Sequence, residues 1–145
     1  MPNMPSHDDA NLILRLYEIR REERMRQARA WFVGNFHFKT YEEFEKGCPP
    51  PSEENAFARM VLTYWEMVGS FLNSEVLDRE LFYKSGNELL FVYLRVVGLI
   101  PSLRERVQDP TAYCELEQAA EAMIEWRKSR SAEGFAMWSK RVRGA

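Results

Sequence analysis

The stretch from Ser52 to Asn73 does most to limit what this chain can become. Within Phe57-Ala-Arg-Met-Val-Leu-Thr-Tyr-Trp-Glu-Met-Val-Gly-Ser-Phe-Leu72, the residues Phe57, Met60, Val61, Tyr64, Val68, Phe71 and Leu72 recur at helical spacing. They form one broad apolar face, while Asn55, Arg59, Thr63, Glu66, Ser70 and Asn73 gather on the other side. Ser52 is a good cap, and Glu53 and Glu54 suit the positive end of the helix dipole. A face this wide must be covered by other elements, so the remaining sequence has to supply them.

It supplies helices. A first helix is expected from Asp8 or Asp9, either of which can cap it, to about Val33. It carries two apolar stripes, Leu12, Leu16 and Ile19, then Leu14, Tyr17, Met25, Ala28 and Phe32, and a helix apolar on two sides touches two neighbours. Gly34-Asn35 can end it. Thr40-Tyr-Glu-Glu43 has capping-box spacing and opens a short helix that Gly47 closes. Cys48-Pro-Pro-Pro51 is a stiff spacer. Asp78 caps a short helix over 79–85, and Asn87 caps one over 88–99 that is apolar nearly all round, apart from Arg95. Asp109-Pro110 reads as the start of a last long helix reaching about Ser129, its acids early and its bases late. Strand signals are almost absent. The expected fold is all-α: an irregular helical bundle of about five or six helices in one domain over 9–130. Residues 1–8 are expected as a disordered lead-in, and 131–145 as a basic tail that frays or adds one helical turn.

At 145 residues the chain can bury roughly 68–70% of the surface its unfolded form exposes, so it needs no staples. A formal net charge of −2 argues against a general polyanion binder. Residues 15–29 hold six arginines but also three glutamates, and 127–143 hold six bases and one acid. That second segment is expected to be solvated. Cys48 and Cys114 make no disulfide framework and are expected to stay reduced. The N-terminus lacks the basic and apolar regions of a secretory signal. The longest apolar run, Leu89 to Ile100, is far short of the ~20 residues of a membrane span. The expected address is the cytoplasm.

Catalytic and metal chemistry find little to work with. His7 and His37 are the two histidines, and neither has a glutamate three residues before it, as a di-iron bundle requires. Cys48 with His37 supplies neither a full zinc ligand set nor a recognisable oxyanion hole. No glycine pattern cradles phosphate. No catalytic residue, metal or cofactor is assigned.

Two constellations remain. The column Glu117, Glu121 and Glu125 repeats like charge at i, i+4, which costs a few tenths of a kcal/mol per pair unless cations face it. Arg20, Arg24 and Arg29 of the first helix are the natural candidates, giving an interaction seam within the chain or across a dimer. Arg95, the lone charge in its helix, needs a partner if buried, and Glu66 or Glu88 could provide one. With Tyr93 and Glu66 it could line a small ligand pocket between helices.

Thr40-x-Glu-Glu43, Tyr64-Trp-Glu-Met-Val-Gly69, Leu77-Asp-x-Glu-Leu-Phe82, and Pro101 with Arg104 together resemble a small bacterial helical family known only as a domain of unknown function. The likeness spans roughly residues 30–130. It implies the helical fold and no activity; some relatives carry a preceding membrane helix, which is not expected here. The leading functional expectation is a non-enzymatic interaction module acting as a homodimer. A ligand-binding bundle around Arg95, Glu66 and Tyr93 is the alternative, and nucleic-acid binding ranks behind both.

Overall fold

The computed structural model describes residues 4–144 and is all-helical; among them there is no strand. In chain order the helices are α1 (His7–Arg21), α2 (Glu23–Asn35), α3 (Tyr41–Gly47), α4 (Glu53–Asn73), α5 (Arg79–Ser85), α6 (Glu88–Val96), α7 (Ile100–Val107), α8 (Cys114–Arg130) and α9 (Ala132–Val142). Among the described residues nine helices replace the expected five or six: the first helix is divided, the expected helix 88–99 ends at Val96 with Pro101 in the first turn of a separate α7, and the C-terminal segment folds as α9.

The expected first helix is two. Glu22 leaves helical geometry at φ −60°, ψ 143°, and its carboxylate accepts the backbone N–H groups of Arg24 and Met25, each at 3.0 Å. The side chain of Glu22 thus caps α2. This break also resolves the double stripe: Leu16 is buried from α1, while Met25, Ala28 and Phe32 are buried from α2. Leu14 and Tyr17, expected to face a neighbour, stay outside. The start of α1 differs as well. Ser6 caps it, with Asp9 as the reciprocal member of a capping box, so the helix begins at His7 inside the expected lead-in. Residues 1–3 of that lead-in lie outside the described residues.

The C-terminal segment 131–144 is the second difference. Ser131 ends α8 and caps α9, its hydroxyl accepting from the Gly134 N–H. α9 then runs for three turns and buries Phe135 and Val142 against α8 and α6. A segment with three bases, Lys140, Arg141 and Arg143, holds its place because two apolar residues at one-face spacing anchor it.

α4 lies at the centre, between α2 and α8. It is buried more completely than its wheel implies: Ala58, Leu62 and Trp65 join the expected face. The nearly all-apolar α6 is covered by α4, α8 and α9 of the same chain, with Leu89, Leu90, Val92 and Val96 at most 1% exposed. No second chain is required to cover it. Phe32, Phe36, Phe38 and Phe44 form an aromatic cluster where the α2–α3 connector meets the core. Such rings supply large apolar area in offset and edge arrangements.

Candidate functional site

The charges singled out in the sequence are largely engaged with helix ends. Glu66 of α4 accepts the N–H groups of Leu116 at 2.7 Å and Glu115 at 3.3 Å, the first turn of α8. Tyr113, which precedes α8, sits in the left-handed region (φ 59°) and gives no side-chain cap, so Glu66 does that work from another helix. Asn73 donates to the Glu115 carbonyl at 3.0 Å. Between them, a Cβ added to Gly69 would stand 2.6 Å from the same carbonyl. Glu66, Gly69 and Asn73 are spaced i, i+3, i+7 and form one docking edge on α4 for the start of α8. Burial pushes the Glu66 carboxyl above the ordinary glutamate value, outweighing the two N–H bonds that pull it down.

Arg95 of α6 mirrors this at helix C-termini. It donates to the carbonyls of Val142 at 2.6 Å, Phe36 at 3.1 Å and Val33 at 3.2 Å, and its guanidinium lies over the Phe91 ring. These are the last turns of α9 and α2, the negative ends of their dipoles. The expected carboxylate partners are engaged elsewhere: Glu66 on α8, and Glu88 with Arg29. Tyr93 is buried in the core. Arg95, Glu66 and Tyr93 are not brought together, and none of them lines the three clefts described below.

The proposed seam residues also part company within the chain. Arg29 makes a half-buried pair with Glu88, at 2.7 Å through Nη2 and 2.9 Å through Nε. Arg24 pairs with Glu53 at 2.6 Å near the surface. Arg20 lies over the Trp65 ring and reaches the Tyr64 hydroxyl at 3.5 Å, while that hydroxyl donates to the Leu16 carbonyl at 2.7 Å. Glu117 pairs with Arg104 at 3.0 Å. Glu121 and Glu125 are exposed and make no ion pair among the described residues.

Three concave surfaces remain. One, about 660 Å³, lies between the start of α1 and the start of α5 and is acidic, with Asp8, Asp9, Glu75, Asp78 and Glu80 at its walls. Asp9 and Asp78 are already occupied there as helix caps. A second, about 470 Å³, lies between α3, α4 and α7 and is mostly apolar, with Arg59 tied to Asn55 at 2.8 Å. The third, about 640 Å³, lies between the α5–α6 turn, the end of α8 and α9. Lys84, Arg127, Arg130 and Arg141 line it with Trp126 and Trp138, and no acid does. Sequence reasoning passed over this cleft by treating 127–143 as solvated. The available signal was the interleaving of Trp126, Phe135 and Trp138 with those bases, which aligns only once α9 folds back on α8.

Apart from the clefts, the outer side of α1 presents Leu14 (59% exposed) and Tyr17 (49%), one turn apart. Among the described residues, no three His, Cys, Asp or Glu side chains are placed to hold a metal ion. No described helix is long and apolar enough to cross a membrane. Cys48 is buried, Cys114 is half-buried, and neither is disulfide-bonded.

No curated protein and no solved structure matches the chain. A family model does, across residues 5–126, which include the α4–α8 junction with Glu66, Gly69 and Asn73 and stop before most of the basic cleft. The chain belongs to the domain of unknown function family DUF4760.

Proposed function

We propose that the protein is a non-enzymatic helical interaction module that pairs with a second copy of itself through the outer side of α1. The observation that carries this reading is the exposure of Leu14 and Tyr17 on a helix whose opposite side is already buried through Leu16. α1 packs mainly on α2 and α5 and is the least enclosed of the long helices. Large apolar side chains gathered on one such helix are a common mark of an association surface.

Charge supports a second copy as the occupant. Arg15 and Arg21 of α1 lie beside the Leu14–Tyr17 strip, and they and Arg26 of α2 make no ion pair among the described residues. Glu121 and Glu125 of α8 are equally free. A two-fold contact that sets each α1 against the other copy's α8 would join them twice, as a self-complementary interface requires. The seam thus keeps Glu121 and Glu125, with Glu117 held by Arg104, while its cations become the arginines left over on α1 and α2. The cytoplasm remains the proposed location.

Sedimentation at tens of micromolar is the test. A dimer is expected, with Leu14→Glu returning it to monomer while far-ultraviolet circular dichroism stays unchanged, because Leu14 contributes nothing to the core. A wild-type chain that sediments only as monomer would overturn the reading.

A further inference from the structure

The basic cleft at the end of α8 has features that neither the fold nor dimerisation explains. Lys84 stands 3.7 Å from Glu80 on its own helix, but Arg127, Arg130 and Arg141 have no carboxylate partner among the described residues. Two of these guanidinium groups rest on indole rings, Arg130 over Trp126 at 4.7 Å and Arg127 over Trp138 at 5.3 Å. Stacking engages the face of a guanidinium and restricts its rotamers, yet leaves in-plane N–H donors available for a bidentate acceptor. Arg127 is further fixed by a hydrogen bond from Nη1 to Asn87 Oδ1. The Asn87 side chain accepts from Arg127 and not, as the sequence predicts, from the first turn of α6, whose N-terminus has no side-chain cap and opens on the same cleft through Gly86 and Asn87. The positive end of that helix adds to charge of the same sign. Aromatic walls around a single sign of charge concentrate the field there.

We propose that this cleft binds a mononucleotide, its phosphates on Arg130 and Arg141 and its planar ring along the Trp126 and Trp138 walls. Inorganic phosphate would leave most of the space empty: about 640 Å³ falls in the range of ~300–1,000 Å³ typical of organic ligand sites. A nucleic-acid strand would need cationic surface to continue beyond the cleft. Instead the arginines of α1 and α2 are interspersed with glutamates, and the formal net charge is −2. Arg127, Arg130, Phe135, Trp138 and Arg141 all lie past the residues that the family model matches.

The full chain, titrated with ATP, AMP, inorganic phosphate and a single-stranded oligonucleotide, tests this by calorimetry and tryptophan fluorescence. ATP is expected to saturate below ~1 mM with a change in fluorescence, and to weaken as salt rises. Arg130→Gln combined with Arg141→Gln should weaken it at least ~tenfold, and the corresponding lysine pair less, since lysine keeps charge without the planar fork. Both positions are exposed, so the variants should keep the wild-type circular dichroism. Three results would overturn the proposal: no saturation by either nucleotide, phosphate binding as tightly as ATP, or undiminished affinity in the glutamine variant. Oligonucleotide binding far tighter than ATP would replace it with a strand-binding surface.

Discussion

The two ends of α8 are built on opposite principles. At its start, Glu66, Gly69 and Asn73 bring α4 against the backbone so closely that a methyl group has no room. Each polar group there serves a helix end. At its finish, cations stand over indoles with no acid near enough to pair, around a cleft of several hundred cubic ångströms. A closed junction of this sort holds the fold together. Polar groups left over after the fold is satisfied are the ones available to another molecule.

That contrast can be broken at the closed end most severely. Gly69→Ala gains about 1 kcal/mol of helix preference. It also forces a Cβ to within 2.6 Å of the Glu115 carbonyl, a backbone atom held by the start of α8. Overpacking costs about 1–3 kcal/mol, so a net loss of up to about 2 kcal/mol is expected in urea denaturation. Glu66→Ala should cost at least as much. It strips the acceptor from two N–H groups, at a cost of about 1–3 kcal/mol.

Glu66→Gln sharpens the same point through pH. Burial holds the folded-state pKa of Glu66 above its unfolded value, so the folded protein binds the proton more tightly. The contribution of this residue to stability is therefore greatest at and below the unfolded pKa and declines as pH rises through the folded value. The glutamine variant should lose that decline, which a series of melting curves from mildly acidic to neutral pH would reveal. At the open end, Arg130→Gln with Arg141→Gln should shift stability by no more than about 0.5 kcal/mol, as expected of surface positions. A large loss there would place the cleft with the structural junctions.

Much of the architecture was legible in the sequence because it rests on local chemistry. Ser52, Thr40 and Asp78 cap α4, α3 and α5 as their spacing implies, each accepting from the N–H three residues on. Asp109-Pro110 misled for an equally local reason. The Asp109 carboxylate binds the N–H and hydroxyl of Thr111 in a turn, and α8 waits until after Tyr113. Glu22 carries no breaker signal, since glutamate is an ordinary helix former that here caps its own chain. The partners of Glu66 and Arg95 lie tens of residues away on backbone atoms, which no side-chain pattern announces. The same holds for the cleft, whose aromatic and basic residues share a wall only because Phe135 and Val142 pull α9 inward.

The break at Glu22 has a consequence for how the molecule opens. Because α1 ends there, it is joined to the bundle by a single non-helical residue and held by Leu16, the Tyr64 hydroxyl, Arg20 with its side chain over Trp65 and its carbonyl on Arg29, and the bond from the Asp78 N–H to Asp9. It is therefore expected to open as a unit while α2, with its own cap, stays registered on α4. Acid selects for this. The N–H groups of Ser6 and Asp78 hold the Asp9 carboxyl below its ordinary range, so its contribution is present at neutral pH and disappears as pH falls through that lowered value. Proton uptake at Asp9 would loosen both the start of α1 and its tie to α5, so that in amide exchange this helix would melt before the core around α4.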